Sequence, residues 1–258
     1  MSADKTAVIS DIHANLEALD AVLADGARRG ARRIICLGDV VGYGPNPAEC
    51  LDRARDFAVN LMGNHEEAVL KGAYGFNPIA RSAIEWTRDQ LRPRWHSPRD
   101  KRDRWEFMKS FALKHQEGDV LYVHGSPRDP TTEYILRTDV EDCFGDPPAK
   151  IRDIFALIPG LCFVGHSHFP GVITQDCEFR APREIAERFV PAPGTKAIVN
   201  VGSVGQPRDG DVRACYVLFD GGAVEYVRVA YDVERTISKI RAIPELPARS
   251  AERLRFGT

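Results

Sequence analysis

The sequence predicts an α/β protein in which two β-sheets pack face to face with helices outside. Many short apolar runs rich in β-branched residues are continuous rather than alternating, which is typical of strands buried on both faces. The first runs alternate with helical patterns, which favours a mostly parallel sheet. After about residue 160, strand-like runs dominate. These three observations give the fold class.

In the first half the chain reads β-α-β-α-β. The predicted strands lie at residues 6–10, 33–37 and 58–62. Between the first two, apolar residues recur at helical spacing, at Leu16, Leu19, Val22 and Leu23. We expect Asp11 or Asn15 to cap this helix. Residues 45–57 read as a second helix.

The second half adds more strands. They are predicted at residues 119–123, 161–164, 172–174, 197–201, 213–219 and 224–229. Gly221-Gly222 separates the last two runs and indicates a hairpin turn. No linker or internal repeat interrupts the pattern. We therefore predict one domain that spans residues 1–258.

One segment departs from this pattern, and we call residues 71–116 the helical cap. Two helical stretches, residues 77–91 and 103–115, flank a basic loop. The cap holds all three tryptophans, Trp86, Trp95 and Trp105. It suggests either a base-stacking, phosphate-binding lid or a small local core with a solvated loop. We favour the local core, because aromatic residues at helical spacing usually pack inside.

Composition narrows the cellular context. A net charge of −2 shows no basic excess, so no stable nucleic-acid binding is expected. The chain has no pattern of a secretion signal and no apolar run of membrane-spanning length. The six cysteines form no C-x-x-C pair, which favours reduced, buried thiols and a cytoplasmic location. Oligomeric state has no signal in the sequence.

Polar side chains follow successive predicted strands. The strand ends read Ser10-Asp11-Ile12-His13, Gly38-Asp39, Gly63-Asn64-His65-Glu66, His124-Gly125 and Gly165-His166-Ser167-His168. Ligands of α/β sheets bind at the carboxyl ends of strands. A single histidine there is most often structural, but five such ends in order indicate one site. Because residues two apart on an extended segment face the same way, His166 and His168 are expected to point together, with Ser167 turned aside.

The residue types indicate a transition-metal site. Carboxylate, imidazole and amide ligands without cysteine suit first-row divalent or trivalent ions such as Mn, Fe, Zn, Ni or Co. An all-thiolate structural zinc site is excluded. Six or seven ligands are too many for one ion with an open position and favour two ions that share a carboxylate. Such a pair can clamp a phosphoryl group and generate a hydroxide nucleophile near neutral pH.

These blocks together resemble the calcineurin-like metallophosphoesterases. The matching blocks are D-I-H (11–13), G-D-V-V (38–41), G-N-H-E (63–66), H-G (124–125) and G-H-S-H (165–168). The resemblance implies a four-layer α-β-β-α sandwich of two mixed sheets and a dinuclear metal site. It assigns one metal to Asp11, His13, Asp39 and His168. It assigns the other to Asp39, Asn64, His124 and His166, with Asp39 as the bridge. His65 then corresponds to the histidine that protonates the leaving group or stabilises the transition state.

Three further stretches resemble a prokaryotic branch of phosphatases or diadenosine-tetraphosphatase-like proteins. They are residues 41–50, 124–130 and 200–211. We expect hydrolysis of phosphate mono- or diesters by attack of a metal-bound hydroxide, on a phosphorylated small molecule, a nucleotide or a dinucleoside polyphosphate. One alternative is a serine/threonine phosphoprotein phosphatase, weakened because Gly42-Tyr43-Gly44 stands where those enzymes carry D-R-G. The other is a catalytically silent metal-binding scaffold.

Four residues are candidates for substrate binding. Arg128 and Arg208 lie in P-R-D turns, where each could contact phosphate or be held by the following aspartate. Asn15 could contact a phosphate oxygen or cap the first helix. Tyr43 could line the pocket or simply form a turn with its flanking glycines. The sequence leaves each of these choices open.

Overall fold

Two six-stranded mixed sheets form the centre of the protein in a computed structural model that describes residues 5–141 and 147–258. The strands are β1 (Lys5–Ile9), β2 (Ala31–Cys36), β3 (Val59–Asn60), β4 (Lys114–Glu117), β5 (Val120–Val123), β6 (Leu161–Val164), β7 (Gly171–Thr174), β8 (Phe179–Arg180), β9 (Arg188–Phe189), β10 (Ala197–Asn200), β11 (Ala214–Phe219) and β12 (Val224–Val229). The helices are α1 (Leu16–Arg28), α2 (Pro47–Ala54), α3 (Asn64–Lys71), α4 (Pro78–Leu91), α5 (Arg99–Lys109), α6 (Thr138–Glu141), α7 (Ala149–Leu157), α8 (Val233–Arg241) and α9 (Ala248–Phe256).

The first sheet has the strand order β3-β2-β1-β11-β12-β9. Strands β3, β2 and β1 run parallel, as the β-α-β-α-β pattern predicts. Strands β11 and β12 pair antiparallel, in register from Ala214 opposite Val229 to Phe219 opposite Val224, which confirms the predicted hairpin. The second sheet has the order β4-β5-β6-β10-β7-β8.

The continuous apolar runs are explained by the position of each sheet between two cores. In β1, Val8 faces the core between the sheets, whereas Ala7 and Ile9 face the core under the helices. In β6, Phe163 likewise faces the other sheet and Cys162 faces the helical side. Both faces of these two strands are therefore buried, and residues 7–9 and 161–164 are all apolar. The predicted four-layer sandwich is confirmed.

The helices of the cap pack onto this body. Ile84 and Leu91 of α4 and Met108 of α5 join the same apolar core as α1 and α2. Arg104 of α5 pairs with Asp52 of α2 at 2.7 Å. Trp95 is 88% exposed at the tip of the loop. The stretch before α4 contributes to the cavity described below.

The second predicted cap helix was too long. Helix α5 ends at Lys109, and residues from Lys114 form strand β4, which pairs antiparallel with β5. The pattern of apolar residues through 103–115 fitted a helix locally. Pairing of this segment with β5 and a bridge from Ala112 to Leu61 decide its conformation instead.

The cysteines and the lengths of the helices bear on the cellular context that the sequence predicts. Five cysteines lie in the described residues, namely Cys36, Cys50, Cys162, Cys177 and Cys215, and each is a buried thiol. Cys143 lies outside the described residues. Within the described part of the chain, every helix is too short or too polar to cross a membrane.

We predict that Phe163→Ala strongly destabilises the sandwich. Phe163 is fully buried, stacks on Tyr122 with ring centroids 5.3 Å apart and meets Phe219 edge-on at 5.3 Å. The free energy of unfolding measured by urea titration should fall by about 3–5 kcal/mol. Phe256→Ala, at a 65% exposed position, should change it by less than about 0.5 kcal/mol. Equal losses would contradict the assignment of this core.

Candidate metal centre

The strand ends from both sheets meet at one edge of the sandwich. The structure brings all seven predicted metal ligands together, and each is buried. They are Asp11, His13, Asp39, Asn64, His124, His166 and His168. His65 lies beside them and is also buried.

One group of ligands forms around Asp11. His168 Nε2 lies 3.1 Å from Asp11 Oδ1, and His13 Nε2 lies 3.7 Å from the same oxygen. The two imidazole Nε2 atoms are 3.0 Å apart. One ion could therefore be reached by all three side chains.

A second group forms on the other side of Asp39. His124 Nε2 lies 3.0 Å from Asn64 Oδ1 and 3.5 Å from Asp39 Oδ2. Asp39, His124 and His166 can place one ligand atom each within 4.8 Å of one another. Asp39 Oδ2 is also 3.8 Å from His13 Nε2. Asp39 thus stands between the two groups.

Backbone carbonyls orient several of the imidazoles. His168 Nδ1 lies 2.5 Å from the carbonyl oxygen of Gln206, and His13 Nδ1 lies 3.3 Å from that of Val41. A carbonyl can only accept, so each Nδ1 carries the proton and Nε2 is left with a lone pair for a metal. In His166 the roles are exchanged, since Nε2 lies 3.1 Å from the carbonyl oxygen of Thr132. This leaves Nδ1 of His166 for the centre.

Left-handed backbone turns aim many of these side chains. The angle φ is 54° at Asp11, 48° at His13, 53° at Asp39, 65° at His166 and 64° at His168. Residues other than glycine rarely adopt this region, and when they do they cluster at functional sites. The expectation of an extended segment at 166–168 was therefore wrong, although both histidines do reach the centre. Ser167 is turned aside, and Asn200 Nδ2 donates to its Oγ at 2.9 Å.

Three glycines let the backbone approach the ligands closely. A Cβ on Gly63 would lie 2.1 Å from Asp39 Oδ1, and one on Gly165 would lie 2.6 Å from Asp11 Oδ2. One on Gly38 would lie 3.1 Å from His124 Nδ1. The glycines of the sequence blocks are thus needed for space beside the ligands.

Glu66 is a candidate positioning residue to which the sequence analysis assigned no role. Its carboxylate accepts hydrogen bonds from the backbone N–H groups of Asp39 (2.8 Å), Val41 (3.0 Å) and Gly63 (2.9 Å). It thereby ties the loop after β2 to the start of α3, where Asn64 and His65 lie. Its place in the G-N-H-E block indicated that Glu66 lies near the site. Its hydrogen bonds to the loop after β2 could not be predicted from the sequence.

The donor set fits metal ions. Oδ1 of Asp11 is buried without a hydrogen-bond partner among the described residues. Burial lowers the pKa of His124 to about 4 and that of His166 to about 3, so both rings are neutral at pH 7. Burial, then the carboxylates of Glu66 and Asp11, raise the pKa of Asp39. Buried anions beside neutral imidazoles call for a cation, and these ligand types suit transition metals.

A cavity of about 330 Å³ opens above the centre. His65 lies in its wall, with the rings of Tyr43 at 4.6 Å and Phe76 at 5.4 Å between centroids. Tyr134 stacks on His166 at 3.7 Å. Arg208 also lines the cavity. Burial and then the charge of Arg208 lower the pKa of His65.

Two of the four predicted substrate-binding residues line the cavity, and the other two do not. Tyr43 and Arg208 line the cavity. Arg128 lies elsewhere, paired with Glu133 and, at 3.3 Å, with Asp153. Neither arginine is held by the aspartate that follows it, because Asp129 accepts from the backbone N–H groups of Thr131 and Thr132, and Asp209 pairs with Arg228.

Asn15 takes the capping role. Its Oδ1 accepts from the backbone N–H of Ala18 at 3.1 Å, at the start of α1. Its Nδ2 donates to the carbonyl oxygen of Gly205 at 2.9 Å and to Tyr231 Oη at 3.1 Å. With these contacts Asn15 is fully buried and lies outside the cavity lining.

A larger cavity of about 810 Å³ lies next to the loop that follows β6. Ser167, Phe169 and Tyr226 line it, and the predicted metal ligands do not. The position of the metal centre therefore depends on side-chain chemistry and not on cavity size.

Fold and centre together define a metal-dependent phosphoesterase, a hydrolase of phosphate esters. A family model described as calcineurin-like phosphoesterase matches residues 5–200. The chain therefore belongs to the calcineurin-like phosphoesterase family, whose members depend on metal ions and act on phosphorylated substrates. The predicted resemblance is confirmed.

The chain is similar to several individual proteins along nearly its whole length. An uncharacterized protein of Methanocaldococcus jannaschii is 37% identical over 263 residues, which cover 97% of each chain. The crystal structure of a metallophosphoesterase from Sphaerobacter thermophilus has a TM-score of 0.77 at 35% identity and covers 99% of this chain and 100% of that one. A hypothetical protein from Pyrococcus horikoshii OT3 shares the fold, with a TM-score of 0.73 at 18% identity and 98% coverage of both chains.

We predict that Glu66→Gln weakens metal binding. In either orientation the amide would turn its NH₂ group toward at least one of the three backbone donors, so Asp39 would lose its fixed position. Affinity for Mn²⁺, measured by competition with a chelator, should fall by about 10–100-fold. Glu67→Gln is the control on the same helix, since the Glu67 carboxylate accepts from Lys71 and Thr131 and from no backbone group of the predicted ligands in the described chain. An unchanged affinity in Glu66→Gln would refute the positioning role.

Proposed function

We propose that this centre binds two first-row transition metal ions and hydrolyses phosphate mono- or diesters. The observation that carries the proposal is the position of Asp39, whose Oδ2 lies within 3.8 Å of His13 on one side and 3.5 Å of His124 on the other. A carboxylate between two ligand groups suits a bridge between two ions.

The ligands divide into two sets in this proposal. Asp11, His13, Asp39 and His168 would hold one ion, and Asp39, Asn64, His124 and His166 would hold the other. When bound, two such ions supply charge stabilisation for a phosphoryl group and a hydroxide nucleophile at neutral pH. The chain contributes the orientation of these ligands, which the carbonyl contacts and left-handed turns maintain.

His65 is proposed as the catalytic residue. Its backbone N–H donates to Asp39 Oδ1 at 2.9 Å, which fixes the residue beside the bridging carboxylate. Its Nδ1 is buried against the backbone of Gly42, so close that a Cβ on Gly42 would lie 2.2 Å from this nitrogen. Nε2 is therefore the ring nitrogen left to meet a substrate, and its N–H would donate to the oxygen of the leaving group.

Arg208 and Tyr43 are proposed to bind the substrate. Arg208 is the guanidinium in the described lining of the cavity, and arginine matches the geometry of phosphate oxygens. The aromatic walls suit a flat group such as a nucleobase beside the phosphate. We infer a nucleotide or a dinucleoside polyphosphate as the substrate class, processed in the cytoplasm.

We predict that catalysis and metal binding can be separated by mutation. His65→Ala should lower kcat for an aryl phosphate by about 10²–10⁴-fold and leave the metal content nearly unchanged, because His65 is proposed to act on the leaving group and is not one of the seven predicted ligands. His166→Ala and His168→Ala should each lower the metal content. The measurements are elemental analysis and hydrolysis of p-nitrophenyl phosphate and its bis-ester with added manganese.

The control for this series is His96→Ala in the exposed loop of the helical cap, which should change neither quantity. Activity in His65→Ala equal to that of the wild type would exclude its catalytic role. Less than one metal per wild-type chain, with no turnover of either ester, would instead favour a silent scaffold.

We also predict that the two P-R-D arginines differ in effect. Arg208→Ala should lower kcat/KM for p-nitrophenyl phosphate by about 10–100-fold, since a hydrogen bond to a charged group contributes about 1.5–3 kcal/mol. Arg128→Ala should change it by less than about threefold, because Arg128 pairs with surface carboxylates. Similar losses in both variants would count against Arg208 as the phosphate contact.

A further inference from the structure

We propose that Arg253, next to Arg208, forms a subsite for a second phosphate of the substrate, beyond the cleaved phosphate that Arg208 contacts. The inference rests on the proposed function, because it places the cleaved phosphate at the metal centre. Arg253 belongs to α9, a helix to which the sequence analysis assigned no role.

The two arginines lie on elements that contact each other. In the loop that carries Arg208, the backbone N–H of Gly210 donates to the carbonyl oxygen of Gly257 at 2.9 Å, just after α9. Tyr43 joins the two regions, since it lines the cavity and belongs to the same apolar cluster as Leu254 of α9. A strip therefore runs from the cavity, past Tyr43 and Arg208, to α9.

The acids next to Arg208 are engaged elsewhere. Asp209 pairs with Arg228, and Asp211 pairs with Arg213 at 2.6 Å. Arg208 Nη2 donates to the amide oxygen of Gln206 at 2.8 Å, and its Nε is buried without a hydrogen-bond partner in the described chain. The charge of Arg208 is thus turned toward the cavity and is not neutralised by its own loop.

Arg253 is likewise a half-buried cation without a carboxylate partner among residues 5–141 and 147–258. Burial lowers its pKa, and the neighbouring charge of Arg208 lowers it further. Two guanidinium groups held near each other repel, and a bound anion removes that cost. Phosphate fits best, because its oxygens can accept paired hydrogen bonds from each guanidinium.

The arrangement points to a second phosphate and not to the cleaved one. The cleaved phosphate must lie within reach of the predicted metal ligands and His65, in the cavity that Arg208 also lines. Arg253 is outside the cavity lining, so it can be reached only by a group that extends past Tyr43 toward α9. A substrate with linked phosphates has such a group, and a simple monoester does not.

The test compares substrates with one phosphate and with several. Arg253→Ala should lower kcat/KM for adenosine 5′-diphosphate and diadenosine tetraphosphate by about tenfold or more, chiefly through KM, because a charge-assisted hydrogen bond is lost. It should leave kcat/KM for p-nitrophenyl phosphate within about twofold. Arg253→Lys should recover part of the loss. Arg255→Ala is the matched control, since Arg255 is on the same helix but pairs with Glu234 at 2.6 Å.

Binding of α,β-methylene adenosine diphosphate and of AMP, measured by calorimetry on the metal-loaded protein, gives a readout that needs no turnover. The diphosphate analogue should bind more tightly than AMP, and Arg253→Ala should remove that difference. Equal effects of Arg253→Ala on both ligands, or no effect on either, would overturn the subsite. Failure of the wild type to hydrolyse either aryl ester would instead overturn the proposed function, while the binding difference would still decide the subsite.

Discussion

The arrangement of the predicted metal ligands depends on one buried carboxylate, that of Glu66. Its hydrogen bonds to the backbone of Asp39, Val41 and Gly63 hold two strand-end loops in a single arrangement. Asp39 is then held at its backbone and at its side chain. Its N–H donates to Glu66, its Oδ1 accepts from the backbone N–H of His65, and its Oδ2 faces the imidazoles of His13 and His124. A buried polar network whose donors and acceptors are paired is rigid, so this junction resists displacement.

The rest of the fold supports a strained site. Five of the predicted metal ligands are held at positive φ, each at a cost of about 1–3 kcal/mol. Such strain persists only where the surroundings determine the backbone completely. Here the strands that lead into these turns, such as β1 and β6, are buried on both faces. The same double burial that makes the strands apolar therefore makes their ends rigid enough to aim metal ligands.

Charge pairing separates residues that the sequence cannot distinguish. Arg128 and Arg208 stand in the same P-R-D motif, yet Glu133 and Asp153 engage the first, while the second lines the cavity. Glu133 follows Arg128 by five residues, whereas Asp153 belongs to α7, so the sequence around the motif does not show the second partner. A local pattern contains no information about which distant carboxylate arrives beside an arginine, and the same limit hid the contacts of Glu66.

The sequence by itself determined the class of fold and the set of side chains that meet at the edge of the sheets. Both follow from local order, since apolar runs buried on two faces end in Asp, Asn or His and parallel strands end at the same edge. Only the tertiary structure decided that residues from Lys114 form a strand, that Asn15 is a cap and that Arg208 faces the cavity near α9. These outcomes depend on contacts between segments far apart in the chain, whose energies exceed local preference.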